Sequence, residues 1–403
     1  MRILFLCNKS PWPPREGGPL AMNMSVEGLI SAGHEVKVLA VNSYKYHIDP
    51  VSIPADYRHR TGIELIDIDL KIKPLHAFLN LFTGRSYHIE RFISKTFRMR
   101  LSEILRDNVF DIIQMETLFM SPYLDTLRQY SEARIVLRAH NIEHLIWKRI
   151  AHETRNFFKR WYLNHLAGTL ENYEHSVLEK FDGIAAITPT DAGYFRKILS
   201  DNRSPVPVVD IPFGVDPDHY PFSPEKAEFP SLFTIGSMNW IPNEEGIRWF
   251  LFNVWPDVAR QFPSLKYYLA GREMPSWMRE LKLPNVVVLG EVEDAREFMT
   301  SKAIMIVPLF SGSGIRIKII EGLATGKTII STSLGAEGIQ CTNYENILIA
   351  NIPCEFFEMI SICVSDRDRC RLIGETGREL IKTQYNLKTI IGKLISFYRL
   401  LNG

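Results

Sequence analysis

At 403 residues the chain is long enough for two domains of ordinary size. Its composition, 46% hydrophobic and 23% charged, excludes global disorder. The formal net charge of +1, from 47 basic and 46 acidic residues, excludes a polyanion binder held by bulk charge, and no nucleic-acid partner is expected.

There is no apolar run of about 18 residues, so no membrane-spanning helix is expected. Cys7, Cys341, Cys354, Cys363 and Cys370 form no C-x-x-C pair, which fits a reducing compartment and argues against a disulfide scaffold or a zinc ribbon.

In chain order, Ile3–Cys7 is a short apolar run of the kind buried on both faces of a parallel sheet. No small-residue cleavage site follows it, so it reads as a first strand and not as a secretory signal. Pro11, Pro13 and Pro14 forbid a helix directly behind it. After Gly17 and Gly18, Met22, Val26, Leu29 and Ile30 share one helical face; Gly33 ends that helix, and Val36–Val41 is the next strand. Strand, loop, helix, strand implies a parallel sheet with right-handed crossovers. Further strands are expected over 63–70, 111–115, 135–138, 183–187 and 206–211, with helical periodicity over 91–106 and in one long stretch over 144–180. A second cycle begins at Leu232, with strands over 232–235, 265–269, 286–289, 303–307, 328–331 and 346–350. The halves meet near 212–217. A last helix over 388–401 carries Ile390, Ile391, Leu394, Phe397 and Tyr398 as one apolar stripe. The expected architecture is α/β: two Rossmann-like domains, 1–212 and 217–385, and a terminal helix, 386–403.

Several motifs suggest chemistry that their surroundings oppose. GLATGKT, Gly322–Thr328, is one residue short of a P-loop and runs helix to strand, where a P-loop runs strand to helix; Gly326 reads as a helix cap. His140-x-x-Glu143-His144 has the spacing of an inverted zinc-hydrolase motif, which needs both histidines on one helix face, whereas His140 directly follows an apolar strand. Asp67-x-Asp69 lies in GIELIDIDL, whose alternation is that of an exposed strand face. No G-x-G-x-x-G follows the first strand, and Gly312-Ser313-Gly314 lacks the third glycine, which argues against a dinucleotide cofactor.

Ser311-Gly312-Ser313-Gly314-Ile315-Arg316-Ile317-Lys318 is different. A strand runs into a loop of small residues and then into a helix whose expected buried stripe is Ile315, Ile319, Gly322 and Leu323. The glycines admit a phosphate to the backbone and the helix N-terminus favours an anion. Arg316 and Lys318 oppose the helix dipole at about 0.3–1 kcal/mol each, a cost that makes sense if both meet a bound anion. Glu321 could accept hydrogen bonds from a ribose diol. His140 stands at the C-terminal end of a strand, where open α/β sheets bind ligands. Trp240-Ile241-Pro242-Asn243, after Gly236-Ser237, reads as a loop at another such end that could line the cleft or be a plain turn. Glu116, Glu143, Glu171 and Glu174 read as surface carboxylates. Residues 71–162 hold 16 Lys/Arg against 9 Asp/Glu, 16 − 9 = +7, with aromatic residues interleaved, a composition that suits an anionic membrane surface or a pyrophosphate-linked lipid.

Taken in order and spacing, these segments resemble retaining glycosyltransferases of family 4, which have the GT-B fold. Gly17-Gly18 and Gly33-His34-Glu35-Val36 resemble the family's opening; Ile211-Pro212-Phe213-Gly214-Val215-Asp216 its interdomain I-P-N-G-V-D, with Phe213 in place of Asn; Glu321-Gly322-Leu323-Ala324-Thr325-Gly326-Lys327 the second half of its E-x7-E signature; and Gly335-Ala336-Glu337-Gly338 the G-x-E-G that follows. Two further features depart. Ser313 stands where the first Glu of E-x7-E contacts the donor sugar, and the usual Arg and Lys after the first strand of the second domain are missing, so that Arg316 and Lys318 are expected to replace them. A subgroup with W-x-P-N and G-x-G-x-R-x-K-x-x-E shares both departures.

The resemblance implies two Rossmann-like domains facing a cleft, with the terminal helix returning to the N-terminal one. The N-terminal domain would bind the acceptor and the C-terminal domain a UDP- or GDP-type sugar. Donor contacts are expected from Gly17, Gly18, Gly312, Ser313, Gly314, Arg316, Lys318, Glu321, Asn239 and Trp240; catalysis from His140, Arg316 and Lys318; and no metal or other cofactor. The expected reaction moves a hexose to a saccharide or lipid-linked saccharide in bacterial surface glycan synthesis. The protein is expected in the cytoplasm, peripheral on the inner face of the membrane through 71–162. The rivals are a non-catalytic nucleotide-sugar-binding scaffold of the same fold and a zinc hydrolase using His140, Glu143 and His144.

Overall fold

The computed structural model describes residues 1–14, 17–312 and 314–403. Two compact units emerge: one of 1–214 with 390–403, the other of 215–389. The first is built on seven parallel strands: β1 (Arg2–Cys7), β2 (Glu35–Asn42), β3 (Glu64–Asp67), β4 (Ile112–Glu116), β5 (Arg134–Ala139), β6 (Gly183–Ala186) and β7 (Val208–Asp210). Their order is β3-β2-β1-β4-β5-β6-β7. Because β1 pairs with β2 on one side and β4 on the other, the chain switches direction across the sheet between β1 and β4. Cys7 lies beside Glu116 at that point. Ligands of open α/β sheets bind at such switch points, outside the strands' C-terminal ends.

The central strands are buried on both faces, mostly by apolar side chains, with Gln114, Glu116 and Arg138 the buried polar exceptions in β4 and β5. Helices cover them, and three of them start at a side-chain cap. The hydroxyl of Ser94 accepts from Phe97 N at 3.3 Å and starts Lys95–Asp107; that of Thr188 accepts from Asp191 N at 2.9 Å and starts Pro189–Asp201. The stretch expected as one helix over 144–180 is two, Glu143–Glu153 and Phe157–Val177. Asn156 breaks it: its side chain accepts from Lys159 N at 2.9 Å and caps a new start.

The terminal helix, Leu387–Asn402, packs on this first sheet from Ile390 onward. Ile390, Ile391, Leu394, Phe397 and Tyr398 are all buried. Ile391 lies over Gly28 and Phe397 over Gly183, positions where a Cβ would collide with it. Full burial of such side chains contributes roughly 2 kcal/mol each, as an upper estimate.

The second unit repeats the plan with six parallel strands: β8 (Glu228–Ile235), β9 (Lys266–Ala270), β10 (Val286–Gly290), β11 (Lys302–Val307), β12 (Thr328–Ser331) and β13 (Leu348–Ile349). Their order is β10-β9-β8-β11-β12-β13, so its switch point lies between β8 and β11. One core face gathers Trp255, Phe250, Tyr267 and Phe356. Trp255 is enclosed and still satisfies its indole, donating Nε1–H to Pro284 O at 2.9 Å. The Rossmann-like reading of both halves thus holds, with seven strands and six.

Candidate nucleotide-sugar site

In the second unit the switch point is framed by two strand-to-helix connections. After β8 the chain passes Gly236–Trp240 and enters the helix Ile241–Asn253; after β11 it passes Pro308–Arg316 and enters Ile317–Ala324. Gly246, in the first of these helices, lies so close to Pro308 that a Cβ would overlap the proline carbonyl oxygen. Helix and loop therefore meet backbone to backbone, which only glycine permits.

Into this frame the two cations turn inward. Arg316 caps the second helix, is buried, donates to Gly314 O and lies over the Trp240 ring at 5.5 Å. Trp240 also covers Gly312, whose φ of +98° and lack of Cβ let the ring approach. Lys318 donates Nζ–H to Asn243 Oδ1 at 2.6 Å, and Asn243 donates Nδ2–H to Ser237 O at 2.8 Å. Burial, with Arg316 beside it, pushes the Lys318 ammonium down to about 7.

Glu321, one turn further, accepts from Tyr220 Oη at 3.0 Å, and burial raises its pKa. The helix ends at Ala324 with Gly326 in the left-handed region, as a C-terminal cap. Lys327 points away, its ammonium on Thr300 O at 3.0 Å, so GLATGKT is a helix end and not a phosphate loop. The buried stripe of the helix is Ile319, Ile320, Gly322, Leu323 and Ala324; Ile315 precedes the helix and is only half-buried.

Among the expected donor residues, Gly312, Gly314, Arg316, Lys318, Glu321 and Trp240 belong to this frame or line its helix, while Ser313 lies outside the described residues. Asn239 is exposed and accepts from Ser237 Oγ at 2.8 Å. The asparagine that holds Lys318 is Asn243, which the sequence reading placed on a cleft-lining loop over 240–243 but not among the donor contacts; it lies in the first turn of the helix that begins at Ile241. The W-x-P-N spelling carried the signal, since Pro242 sets the first turn of a helix and places Asn243 within it. Tyr220 has no motif of its own.

The first unit has its own switch-point cluster. His140 Nε2 meets Glu116 Oε2 at 2.5 Å, and Glu116 Oε1 accepts from Gln114 Nε2 at 2.5 Å. Gln114 Oε1 in turn accepts from Tyr398 of the terminal helix. Arg138 is buried beside them, donating to Ala185 O and Pro212 O at 3.3 Å each; burial lowers its pKa and Glu116 opposes that shift. Phe213 lies edge-on to His140, with ring centroids 5.6 Å apart. Thr117, directly after Glu116, holds φ at +78°, a strained conformation for a β-branched residue. Gly17 and Gly18 open the helix Gly17–Ser31, and a Cβ on Gly18 would meet Lys9 Cε at 2.8 Å.

Three of the four carboxylates read as surface groups are not. Glu116 and Glu174 are 1% exposed and Glu143 is 6% exposed; Glu171 keeps about a quarter of its side-chain surface. Their partners explain it. Glu174 accepts from the backbone N–H groups of Glu143 and His144 at 3.1 and 3.4 Å, and Glu143 is pushed up to about 8 by burial and by Glu174. Among the described residues, His140, Glu143 and His144 form no common ligand group, since His140 turns to Glu116 and His144 to Glu174. Asp67 and Asp69 are met by Asn42 at 2.9 Å and Lys73 at 3.3 Å, and they line an open concavity of about 360 Å³ with Lys71, Tyr87 and Arg91.

The fold is GT-B, as comparison with solved structures shows. Sucrose-phosphate synthase from Thermosynechococcus elongatus matches with a TM-score of 0.70 at 16% identity, over 100% of this chain and 99% of that one. HepE from Anabaena, solved in complex with UDP, matches with a TM-score of 0.68 at 14% identity, over 99% and 100%. HepE has also been solved with UDP-glucose (TM-score 0.64, 14% identity, 98% and 100%). Residues 229–366, about a third of the chain and all within the second unit, match the family described as glycosyl transferases group 1. Across its length the chain is similar, at 22% identity over 98% of both sequences, to an uncharacterized 44.6 kDa protein in the cps region of Klebsiella pneumoniae. Family match and fold together support a glycosyltransferase. Among the described residues no helix is long and apolar enough to cross a membrane.

Proposed function

We propose that the chain is a retaining, metal-independent hexosyltransferase of the family 4 type, using a UDP or GDP sugar and a saccharide or lipid-linked saccharide acceptor in bacterial surface glycan synthesis. The observation that carries this reading is the inward-turned pair Arg316 and Lys318, held by Trp240 and Asn243 at the switch point of the second unit. A buried ammonium beside a second cation is costly, and a diphosphate would repay that cost. Glu321, which accepts from Tyr220, would also accept from the ribose. HepE, with UDP and UDP-glucose, supports the donor class.

In the reaction the bond from the anomeric carbon to the diphosphate oxygen breaks and the bond to the acceptor oxygen forms on the same face. The acceptor proton passes to the departing phosphate. Arg316 and Lys318 stabilise the charge that develops on that phosphate, with no metal in the step. His140 would contact the donor sugar, and Glu116 fixes which ring nitrogen faces it. Gly17 and Gly18, with Lys9 packed on Gly18, would contact the donor phosphates. Ser313 replaces a sugar-binding carboxylate, so backbone amides of 312–314 take up part of that role.

The acceptor reading rests on the first unit's surface. Leu75, Phe78, Leu79 and Phe82, and Phe157, Phe158 and Trp161, are more than half exposed, on two segments that pack together through Ala77 and Leu166. With the basic excess of 71–162 this surface suits the cytoplasmic face of an anionic bilayer.

The decisive experiment is thermal unfolding with UDP, GDP, ADP and CMP. A ligand at 100 times its dissociation constant adds about 2.7 kcal/mol of stability. A shift with UDP or GDP, lost in Arg316→Ala and Glu321→Ala, is the expected result. No shift with any nucleoside diphosphate would refute the donor site.

A further inference from the structure

His144 lies in the first turn of the helix Glu143–Glu153, and Glu171 and His175 lie one turn apart on Phe157–Val177. One ligand atom from each, a nitrogen from either histidine and an oxygen from the carboxylate, comes within 4.8 Å of both others. His144 Nε2 and Glu171 Oε1 are 3.3 Å apart. Two ligands at 2.0–2.1 Å on a tetrahedral zinc ion are about 3.4 Å apart, so one edge of that polyhedron is already made.

The other face of the His144 ring supplies an independent observation. Nδ1 lies 2.6 Å from Glu174 Oε2, and Glu174 is a buried carboxylate already fixed by two backbone N–H groups. A carboxylate so held keeps the ring proton on Nδ1 and turns the Nε2 lone pair toward Glu171 and His175. Carboxylates orient metal-bound histidines in the same way. A lone pair facing a carboxylate oxygen at 3.3 Å is repulsive unless a cation or a second proton lies between them. Tyr194 Oη fills the remaining side, 2.8 Å from His175 Nε2 and 3.3 Å from His144 Nε2. Lys148, 2.7 Å from Glu171 Oε1, rides on an exposed stem and can swing away.

We propose that His144, Glu171 and His175 bind one divalent transition metal of the zinc type, with Glu174 as the orienting carboxylate and Tyr194 or water as the fourth partner. The ligand set is neither the His140-x-x-Glu143-His144 motif nor part of the donor site. Its effect is structural: it ties the helix that begins just after His140 to the long helix Phe157–Val177.

The test uses the full-length protein, stripped with chelator and titrated with Co2+ and Zn2+. The expected result is one equivalent of Co2+ with the intense visible bands of a tetrahedral site, and a rise in Tm with Zn2+. His175→Ala and Glu171→Gln, both at partly exposed positions and checked for folding by circular dichroism, are expected to lose that equivalent. Glu174→Gln is expected to weaken it roughly 10–100-fold. Uptake well below one equivalent, or one equivalent retained in both His175→Ala and Glu171→Gln, would overturn the proposal. UDP-induced stabilisation, measured on the metal-free protein, is expected to be unchanged, so failure here and failure of the donor site are read separately.

Discussion

Lys318 gives the donor reading its most exacting test, because its charge at neutral pH is balanced. An ordinary lysine titrates at 10.5; here burial and Arg316 bring the value to about 7. Between those two values the unfolded chain holds a proton that the folded one has released, so stability rises as pH climbs from about 7 to 10.5. At 1.36 kcal/mol per unit the span has an upper value near 5 kcal/mol, and an effect on the order of a few kcal/mol is the realistic expectation. Lys318→Met is therefore expected to stabilise the unliganded protein at pH 7 while weakening its hold on a diphosphate.

Binding should carry the opposite sign. If the diphosphate needs the ammonium, each molecule must take up a proton above pH 7, and the dissociation constant grows as one plus ten to the power (pH − 7). From pH 6.5 to 8.5 that is roughly 25-fold, close to 2 kcal/mol, provided the complex titrates above 9. Calorimetric titration of UDP at pH 6.5, 7.5 and 8.5 measures it, and Lys318→Met reports the background from the nucleotide's own titration. Affinity that is flat across this range, or a slope that survives in Lys318→Met, would refute the placement of the diphosphate on this side chain.

Four further outcomes follow from the geometry of the two units. Glu321→Ala should abolish turnover, and Tyr220→Phe, which removes a hydrogen bond to a carboxylate, should weaken UDP by about tenfold in the same titration. Gly246→Ala drives a Cβ into the Pro308 carbonyl and should cost about 1–3 kcal/mol, seen as a lower Tm; an unchanged Tm would mean that the helix and loop can part freely. Glu116→Gln keeps the size of the side chain but no longer fixes the His140 tautomer. Turnover should fall roughly 10²–10⁴-fold with UDP affinity unchanged, whereas a wild-type rate would make Glu116 a purely structural carboxylate.

The fold was legible because its signal is local. All thirteen strands among the described residues lie where apolar runs place them, and the errors in their bounds have physical causes. The runs 63–70, 206–211 and 346–350 overshoot β3, β7 and β13, which are edge strands that pair on one side only, so their ladders end early. The run 232–235 undershoots β8, which starts at Glu228 and carries Pro230, a residue that argues against a strand in any sequence reading. The site was legible only in part. Arg316, Lys318 and Glu321 share one short segment, so their spacing shows. Asn243 and Tyr220 bond Lys318 and Glu321 from 75 and 101 residues away in the chain; the W-x-P-N spelling marks the segment of Asn243 but not its partner, and nothing in the neighbourhood of Tyr220 announces one. Glu116 misled for the same reason: a lone acidic residue after an apolar strand looks like a solvent-facing strand end until His140, 24 residues later, is seen against it.

The terminal helix raises a separate question, since a helix packed at the far end of the chain could be covering apolar surface and no more. Tyr398 suggests otherwise. Its hydroxyl is fully enclosed, its pKa is raised by burial, and it donates to Gln114 Oε1. That bond fixes which end of the amide is which, and so presents Nε2–H to Glu116, the carboxylate that holds His140. Three hydrogen bonds thus run from the last helix to the end of β5. Tyr398→Phe keeps the ring and its packing but lets the amide turn. A lost hydrogen bond of this kind costs stability about 1 kcal/mol. If the relay matters, turnover should drop as well, by less than in Glu116→Gln and with UDP affinity intact. A Tm lowered by that amount with an undiminished rate would show that the helix serves the core alone and that Glu116 keeps His140 in place without it.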